Sequence, residues 1–354
     1  MAKSPQEKAK ATLEKKPKCK DLVERIESRI QRGEDLLGSM VRALVCNAGN
    51  AYYDYQKTRI AESNRVRSIV LQAAGLISPP GEKPPDKKKL EERALGEYDD
   101  RCIMAVLWQV LERLDEEERE IVETLLHGWE ERLREEHLVK NKVLLRYLSN
   151  VPQWSKWLAY ERGVGPVLTM NLFWRFGYCE RFATVSKFWK FCGLHVENGK
   201  APKREKNKKL TWNPDARTFA WKTADVFVKL KNYYRALYDR RKQRELARTD
   251  ENAPQSRKHA HNRAMRYMVK IFLSHYWMYS RWLLDLPQPA PYALVHKGHC
   301  ELIVPNPELV PRMFSNYDCR VPPWVRWQEE VPHGTIVLVD TSGRDVTHRL
   351  MRGW

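Results

Sequence analysis

The sequence predicts a mainly α fold: a helical bundle with long coiled-coil-like helices and a helix-hairpin-helix element, closed by a small C-terminal β-rich appendix. Three observations predict it. Apolar residues recur at three- and four-residue spacing through most of residues 21–285. Dense Glu and Arg stand between them, as on solvated helix faces. After Leu286 prolines become frequent and short alternating runs replace the helical period.

The elements follow in order. Residues 1–20, MAKSPQEKAKATLEKKPKCK, read as a disordered basic arm with no apolar signal core. Residues 21–77 form an N-terminal helical region. Leu22, Ile26 and Ile30 make one periodic face, continued by Leu37, Met40, Val41 and Leu44. Ile60, Val66, Ile69, Val70 and Ala73 mark a second helix. Proline and lysine crowd residues 78–96, the best linker in the chain. Residues 97–149 are coiled-coil-like helices, with Val106, Val110 and Leu114 on one face and Ile121, Leu125, Trp129 and Leu133 on the next. A coiled coil between chains and a helical hairpin within one chain fit this pattern equally. Residues 150–285 hold further helices. Asp215 is a candidate cap; Phe219, Thr223, Val226, Phe227, Leu230, Tyr234 and Leu237 face inward, as do Met265, Met268, Val269, Phe272 and Tyr276 farther on. Residues 286–354 are the appendix, with CELIVP, YDCRVPPWVRW and GTIVLVD as strand candidates and TSGRD as a turn. Trp324, Trp327 and Trp354 either pack on the helical body or form a partner surface.

Charge narrows the function. Lys and Arg number 63 against 45 Asp and Glu, a formal excess of +18, so a polyanion is the expected partner. Duplex DNA comes first and RNA second. No apolar run reaches the roughly 18 residues of a membrane span, so no membrane partner is expected. The seven cysteines show no CxxC and read as reduced, packed thiols. A cytoplasmic, nucleoid-associated protein is the resulting expectation. No GxxxxGK[ST] loop and no GxSxG occur.

The stretch RGVGPVLTMNLFWRFG, residues 162–177, is the hairpin candidate. Gly163, Val164 and Gly165 form the turn, and Pro166 suits a first helical position. Amides at the start of the second helix would hold a phosphate without reading sequence. Downstream, Lys200, Lys203, Arg204, Lys206, Lys208 and Lys209 sit in one basic loop. Lys222, Lys229, Lys231, Arg235, Arg240, Arg241, Lys242 and Arg244 extend the positive surface. Together they outline a nucleic-acid groove. As metal candidates, His296, His299, Cys300 and Cys319 contain zinc-ligand types, although their spacing fits no common finger. HAH at 259–261 reads as a metal pair, a phosphate contact or a polar helix start. No cofactor is expected, with zinc and magnesium as the alternatives.

GVGPVLTMNLFWRFG, RFATVSKFWKFCGL, the Gly-centred basic loop, WNPDARTFAWKTADVFVKLKNYYRALYDRR and HNRAMRYMVKIFLSHYW stand in an order that resembles the C-terminal Tnp domain of the IS-one-ten/Piv-type transposase family. The resemblance covers about residues 150–283. It implies DNA binding, helical assembly and the setting of a mobile genetic element. In that family a RuvC-like domain supplies four acidic metal ligands and the Tnp domain a serine nucleophile. Here Asn198 occupies the serine position, and an amide is no attacking hydroxyl. Asp21, Asp54, Asp99 and Asp100 fall in helical or linker contexts rather than on RuvC-like strands. The expectation is therefore a non-catalytic, transposase-derived DNA-binding protein that oligomerises through its helical block and bridges or bends DNA. The alternatives are an active recombinase or nuclease with a divergent site, and an RNA-binding scaffold.

Overall fold

A computed structural model of the chain describes residues 17–32, 36–77, 98–197, 199–204, 209–247, 257–315, 320–331 and 336–351, with 4, 7 and 14 near the start. The linker at 78–96, Asn198, Lys206, Lys208, Cys319 and Trp354 lie outside the described residues.

The mainly helical expectation holds, with a small β element. Helix α1 spans Pro17–Gln31 and α2 spans Leu36–Ala73. The start of α1 shortens the basic arm expected over residues 1–20. The face expected to run on from Leu22 to Leu44 is divided between α1 and α2, and its second part joins the helix expected at Ile60–Ala73 in one helix of 38 residues. Helix α3, Asp100–Leu111, is capped by Asp99, whose carboxylate accepts the Cys102 amide at 2.9 Å. Helix α4, Glu116–Leu138, is capped by Asp115, which accepts the Glu118 amide at 2.8 Å. Both helices pack on α2 and on each other around Leu111, Leu126 and Trp129. The antiparallel hairpin within one chain is thus realised, while Ile69, Val106, Ile121 and Leu125 stay exposed. Buried Glu136 binds Arg59 at 2.7 Å, and Asp100 pairs with Arg59 and Arg67, which ties α2 to both partners.

A π-helical turn, Val139–Leu144, leads into the short α5, Leu145–Leu148. The helix expected over WSKWLAYER is a second π turn, Gln153–Trp157, followed by a 3-10 turn, Leu158–Tyr160. The break falls at Trp157, whose backbone leaves the helical region while its fully buried ring enters the core. Helix α6, Pro166–Phe176, α7, Val185–Phe191, α8, Pro214–Leu230, and α9, Arg235–Leu246, then wrap around α10, Arg257–Leu283. The cap of α8 is Asn213, accepting the Ala216 amide at 2.9 Å; Asp215, one residue past the Pro at the helix start, is a first-turn acid instead.

Helix α10 is the axis. Met265, Met268, Val269, Phe272 and Tyr276 are buried as their spacing predicts, and from His275 to Trp282 every residue is buried. Large aromatic rings fill this centre because their polar edges find carbonyls: Trp277 Nε1 donates to Phe182 O at 2.7 Å and Trp282 Nε1 to Val321 O at 3.0 Å.

The appendix is less β-rich than its sequence suggests. Helix α11, Tyr292–His296, is followed by β1, Glu301–Ile303, then α12, Val310–Phe314, α13, Pro323–Glu330, β2, Val337–Val339, and α14, Thr347–Met351. The strands pair in parallel, Leu302 opposite Leu338. Within YDCRVPPWVRW the residues from Pro323 on open α13 rather than a strand, since Pro323 starts a helix and Trp324 and Trp327, three apart, both turn inward. TSGRD is a turn, held by Asp340, which accepts Ser342 and Arg344 amides at 2.8 and 3.0 Å. Thr341 Oγ1 donates to Tyr233 O at 2.7 Å and fixes this end to the α8–α9 corner. No described helix is long and apolar enough to cross a membrane.

Candidate nucleic-acid interface

The turn at Gly163 forms as a sharp corner, with Pro166 opening α6. Its surroundings differ from the expected exposed loop. Gly163 has φ +86, and a Cβ there would lie 3.0 Å from Leu230 and 3.1 Å from Val226 on α8. Only glycine satisfies both demands. Val164 is buried, and its N–H donates to Glu161 O at 3.0 Å. Gly163 and Val164 are therefore packing residues, a correction to their place in a phosphate loop. Gly165 differs, since a Cβ there would meet open space. The corner also holds a buried carboxyl. Burial pushes Glu161 up to about 7, although Trp157 Nε1 donates to it at 3.1 Å.

The basic loop lies elsewhere. Gly193, φ +61, leaves room for Trp212, whose ring would be 3.0 Å from a Cβ at that position. The Arg217 guanidinium lies 4.7 Å from the Trp212 ring centre and donates to Pro202 O at 2.6 Å. Pro202 anchors the loop while Lys200, Lys203, Arg204 and Lys209 face solvent. The loop thus hangs from the first turns of α8, whereas Gly163 abuts its last turn. At 1.5 Å per residue the two are roughly 15–20 Å apart. The predicted site is two places, at opposite ends of one helix.

Other predicted cations diverge as well. Lys222 lies 5.2 Å from the Tyr53 ring, facing α2. Lys229 pairs with Asp225 at 2.7 Å. Arg240 packs against Gly343 in the TSGRD turn. Arg241 turns the other way, toward α10.

Around Arg241 the helices assemble a cluster that charge runs do not reveal. On α10, Arg263, Arg266, Tyr267 and Lys270 recur at spacings of three and four and share one face. Arg263 Nη1 donates to Glu245 at 2.8 Å, and Arg241 binds the same buried carboxylate four residues along α9. Burial alone would raise Glu245, but the bonds from Arg263 and Arg241 outweigh it and hold the carboxyl below its ordinary range. Half-buried Arg266 is pulled below the usual guanidinium range by burial and then by Arg263, Arg217 and Arg241, with Glu245 opposing. Lys270 is pushed down to about 8 by burial, Arg266 and Arg241, and its ammonium sits 4.0 Å from the Trp189 ring centre. Arg241 lies over Tyr267 at 5.5 Å, and its buried Nε has no protein partner. Five cations, from Arg217, Arg241, Arg263, Arg266 and Lys270, thus gather among aromatic rings, with one carboxylate, Glu245, shared by Arg241 and Arg263. Like charges held together in a half-buried setting repel, and an anion would relieve that repulsion. The sequence signal was the recurrence of Arg and Lys at 263, 266 and 270 on the side of α10 opposite Met265 and Met268.

Of the zinc candidates within the described residues, His296 lies against Tyr292 with ring centres 4.5 Å apart, and Cys300 is exposed. Among the described residues no three His, Cys, Asp or Glu side chains are placed to hold a metal. Of HAH, His261 bonds to the Tyr238 hydroxyl at 2.7 Å at the start of α10.

No protein family, curated protein or solved structure matches the chain.

Proposed function

We propose that this chain is a nucleic-acid-binding protein that grips duplex DNA by its phosphates, without strand chemistry of its own. The grip consists of the Arg217–Arg241–Arg263–Arg266–Lys270 cluster and the adjoining loop cations Lys200, Lys203, Arg204 and Lys209. One observation carries this reading: mutually repelling cations are held together, half-buried, against a single carboxylate, Glu245. A fold gains nothing from such an arrangement alone, whereas a polyanion turns repulsion into affinity. The transposase-derived origin belongs to the same proposal, with residues 150–285 retained as a grip and the helical block as the assembly element.

The test is a binding titration with duplex DNA between 50 and 200 mM salt. Affinity should fall steeply with salt and show modest sequence preference. The combined change Lys203→Glu, Arg204→Glu and Lys209→Glu should weaken binding at least tenfold on every sequence tried. Absence of duplex binding at 50 mM salt refutes the proposal. Nicking of supercoiled DNA in Mg²⁺ would instead favour an active recombinase, and tighter binding to structured RNA would favour an RNA scaffold.

A further inference from the structure

A cavity of about 270 Å³ lies where α7, α10 and the appendix meet. Its walls include Trp189, Tyr267, Trp277, Trp324, Trp327 and Leu302. A cavity of roughly 150 Å³ holds a benzene ring, so this one is sized for a bicyclic heteroaromatic ring.

Three features say what would fill it. First, two walls belong equally to the cation cluster. Lys270 lies 4.0 Å from the Trp189 ring centre and Arg241 lies 5.5 Å from that of Tyr267. An occupant therefore has its ring among aromatics and a neighbouring group beside cations. Second, Trp324 lies fully buried behind this lining, so the rings an occupant meets are the partly exposed ones of Trp189 and Tyr267. Third, Glu301 is the carboxylate of the lining and can accept from an exocyclic amine. Of the two histidines in the wall, His275 is already satisfied, bonding the Tyr234 hydroxyl at 2.9 Å and Ile303 O at 2.8 Å, which leaves His299 as a second polar group for an occupant. A purely apolar occupant would make no use of Glu301, His299 or the cations.

We propose that the cavity receives one nucleobase unstacked from its neighbours, whose phosphate rests on Arg241, Arg266 and Lys270. This deepens the nucleic-acid reading above and rests on it. The ring packs against Trp189 and Tyr267, Glu301 accepts from an exocyclic amine, and the backbone continues along the cation cluster. The base reaches the cavity from a strand, as an extruded or single-stranded nucleotide, or as a free nucleotide.

The experiment compares a labelled single-stranded 8-mer with the same 8-mer built of abasic sugars, by fluorescence anisotropy. Wild-type protein should bind the base-bearing strand about tenfold more tightly, the size of one base–aromatic contact. Ser274→Phe fills the cavity from α10, where Ser274 Oγ bonds only its own helix at Lys270 O, 2.8 Å away. That variant should lose the tenfold preference and keep the abasic affinity. Melting curves check folding, and Ala293→Trp fills the cavity from α11 should Ser274→Phe not fold. Equal affinity for the two strands in wild type overturns the cavity proposal and leaves the phosphate grip standing. If neither strand binds, the grip fails, and calorimetry with AMP decides the cavity. AMP binding abolished by Ser274→Phe supports a free-nucleotide site; no AMP binding overturns it.

Discussion

Replacing Arg266 by Gln gives the sharpest test of the cationic cluster, because its two expected effects have opposite signs. Arg266 is depressed first by burial and then by three guanidinium groups, with one carboxylate opposing, which leaves two repulsions unbalanced. At an effective dielectric of about 20 and a separation of about 8 Å, each is worth roughly 2 kcal/mol. The patch is partly exposed, so screening reduces the net to about 1 kcal/mol. Gln keeps most of the side-chain volume and removes the charge. The variant should therefore melt about 1–2 °C higher than wild type. Its affinity for DNA should move the other way. Six cations, Lys203, Arg204, Arg217, Arg263, Arg266 and Lys270, each meeting one phosphate, give a log–log salt slope of about −5. Losing one contact lowers that slope by about 0.9 and weakens binding on all sequences alike. Calorimetric melting and a salt titration of the same preparation read both effects. A lower melting temperature makes Arg266 a structural residue. An unchanged slope places the phosphates elsewhere. Either result refutes the reasoning.

Three further outcomes are expected. Gly163→Ala forces a Cβ to 3.0 Å from Leu230 at φ +86, so urea unfolding should show a loss of about 2 kcal/mol, while the salt slope of DNA binding stays unchanged. Glu161 has its folded carboxyl raised by burial to about 7, above its ordinary value. The folded state therefore holds a proton between those limits that the unfolded chain has released, and stability falls as pH rises through this window. Glu161→Gln should remove that dependence: about 3 kcal/mol of gain above pH 7, and none near pH 4, checked by melting across pH. Self-association of the helical block predicts a mass above one chain in light scattering at micromolar concentration. Leu125→Glu, at a residue 69% exposed, should return it to the monomer; a monomeric wild type counts against assembly there.

Helical periodicity foretold burial well where a helix is enclosed. On α10 the residues spaced from Met265 to Tyr276 all turned inward; on α8 Phe219, Thr223 and Phe227 did so, whereas Val226 is half-buried and Leu230, at the helix end, stays exposed. The same periodicity misled in the N-terminal helices, where Leu22, Met40, Val41, Leu44 and Ile60 are exposed. A pattern marks a face, but the partner that covers it is a long-range fact. In the appendix, alternation around Trp324 and Trp327 suited a strand and a short helix equally, and Pro323 decided for helix. The basic loop at Lys200 was legible as a run of charge. Arg217, Arg263, Arg266 and Lys270 were not, because they are scattered over 54 positions of sequence and meet only when α8, α9 and α10 pack.

The separation along α8 bears on the kind of ligand the proposal requires. Gly165 opens to solvent beside the last turn of α8, and the loop cations stand beside its first turns. Roughly 15–20 Å of rigid helix lies between them. One phosphate group cannot touch both, nor can a mononucleotide. A duplex carries a charge every 1.7 Å or so along its axis and would meet the two ends with phosphates about a helical turn or less apart. The fixed length of α8 then acts as a gauge. Short duplexes that reach only the Arg266 cluster should bind with the full local salt slope yet gain nothing from Gly165. Duplexes long enough to span α8 should bind more tightly, and Gly165→Asp, which places a charge in that open space, should erase only this second increment. Equal affinity for short and long duplexes would confine the grip to the cluster and leave the corner at Gly163 as a packing turn alone.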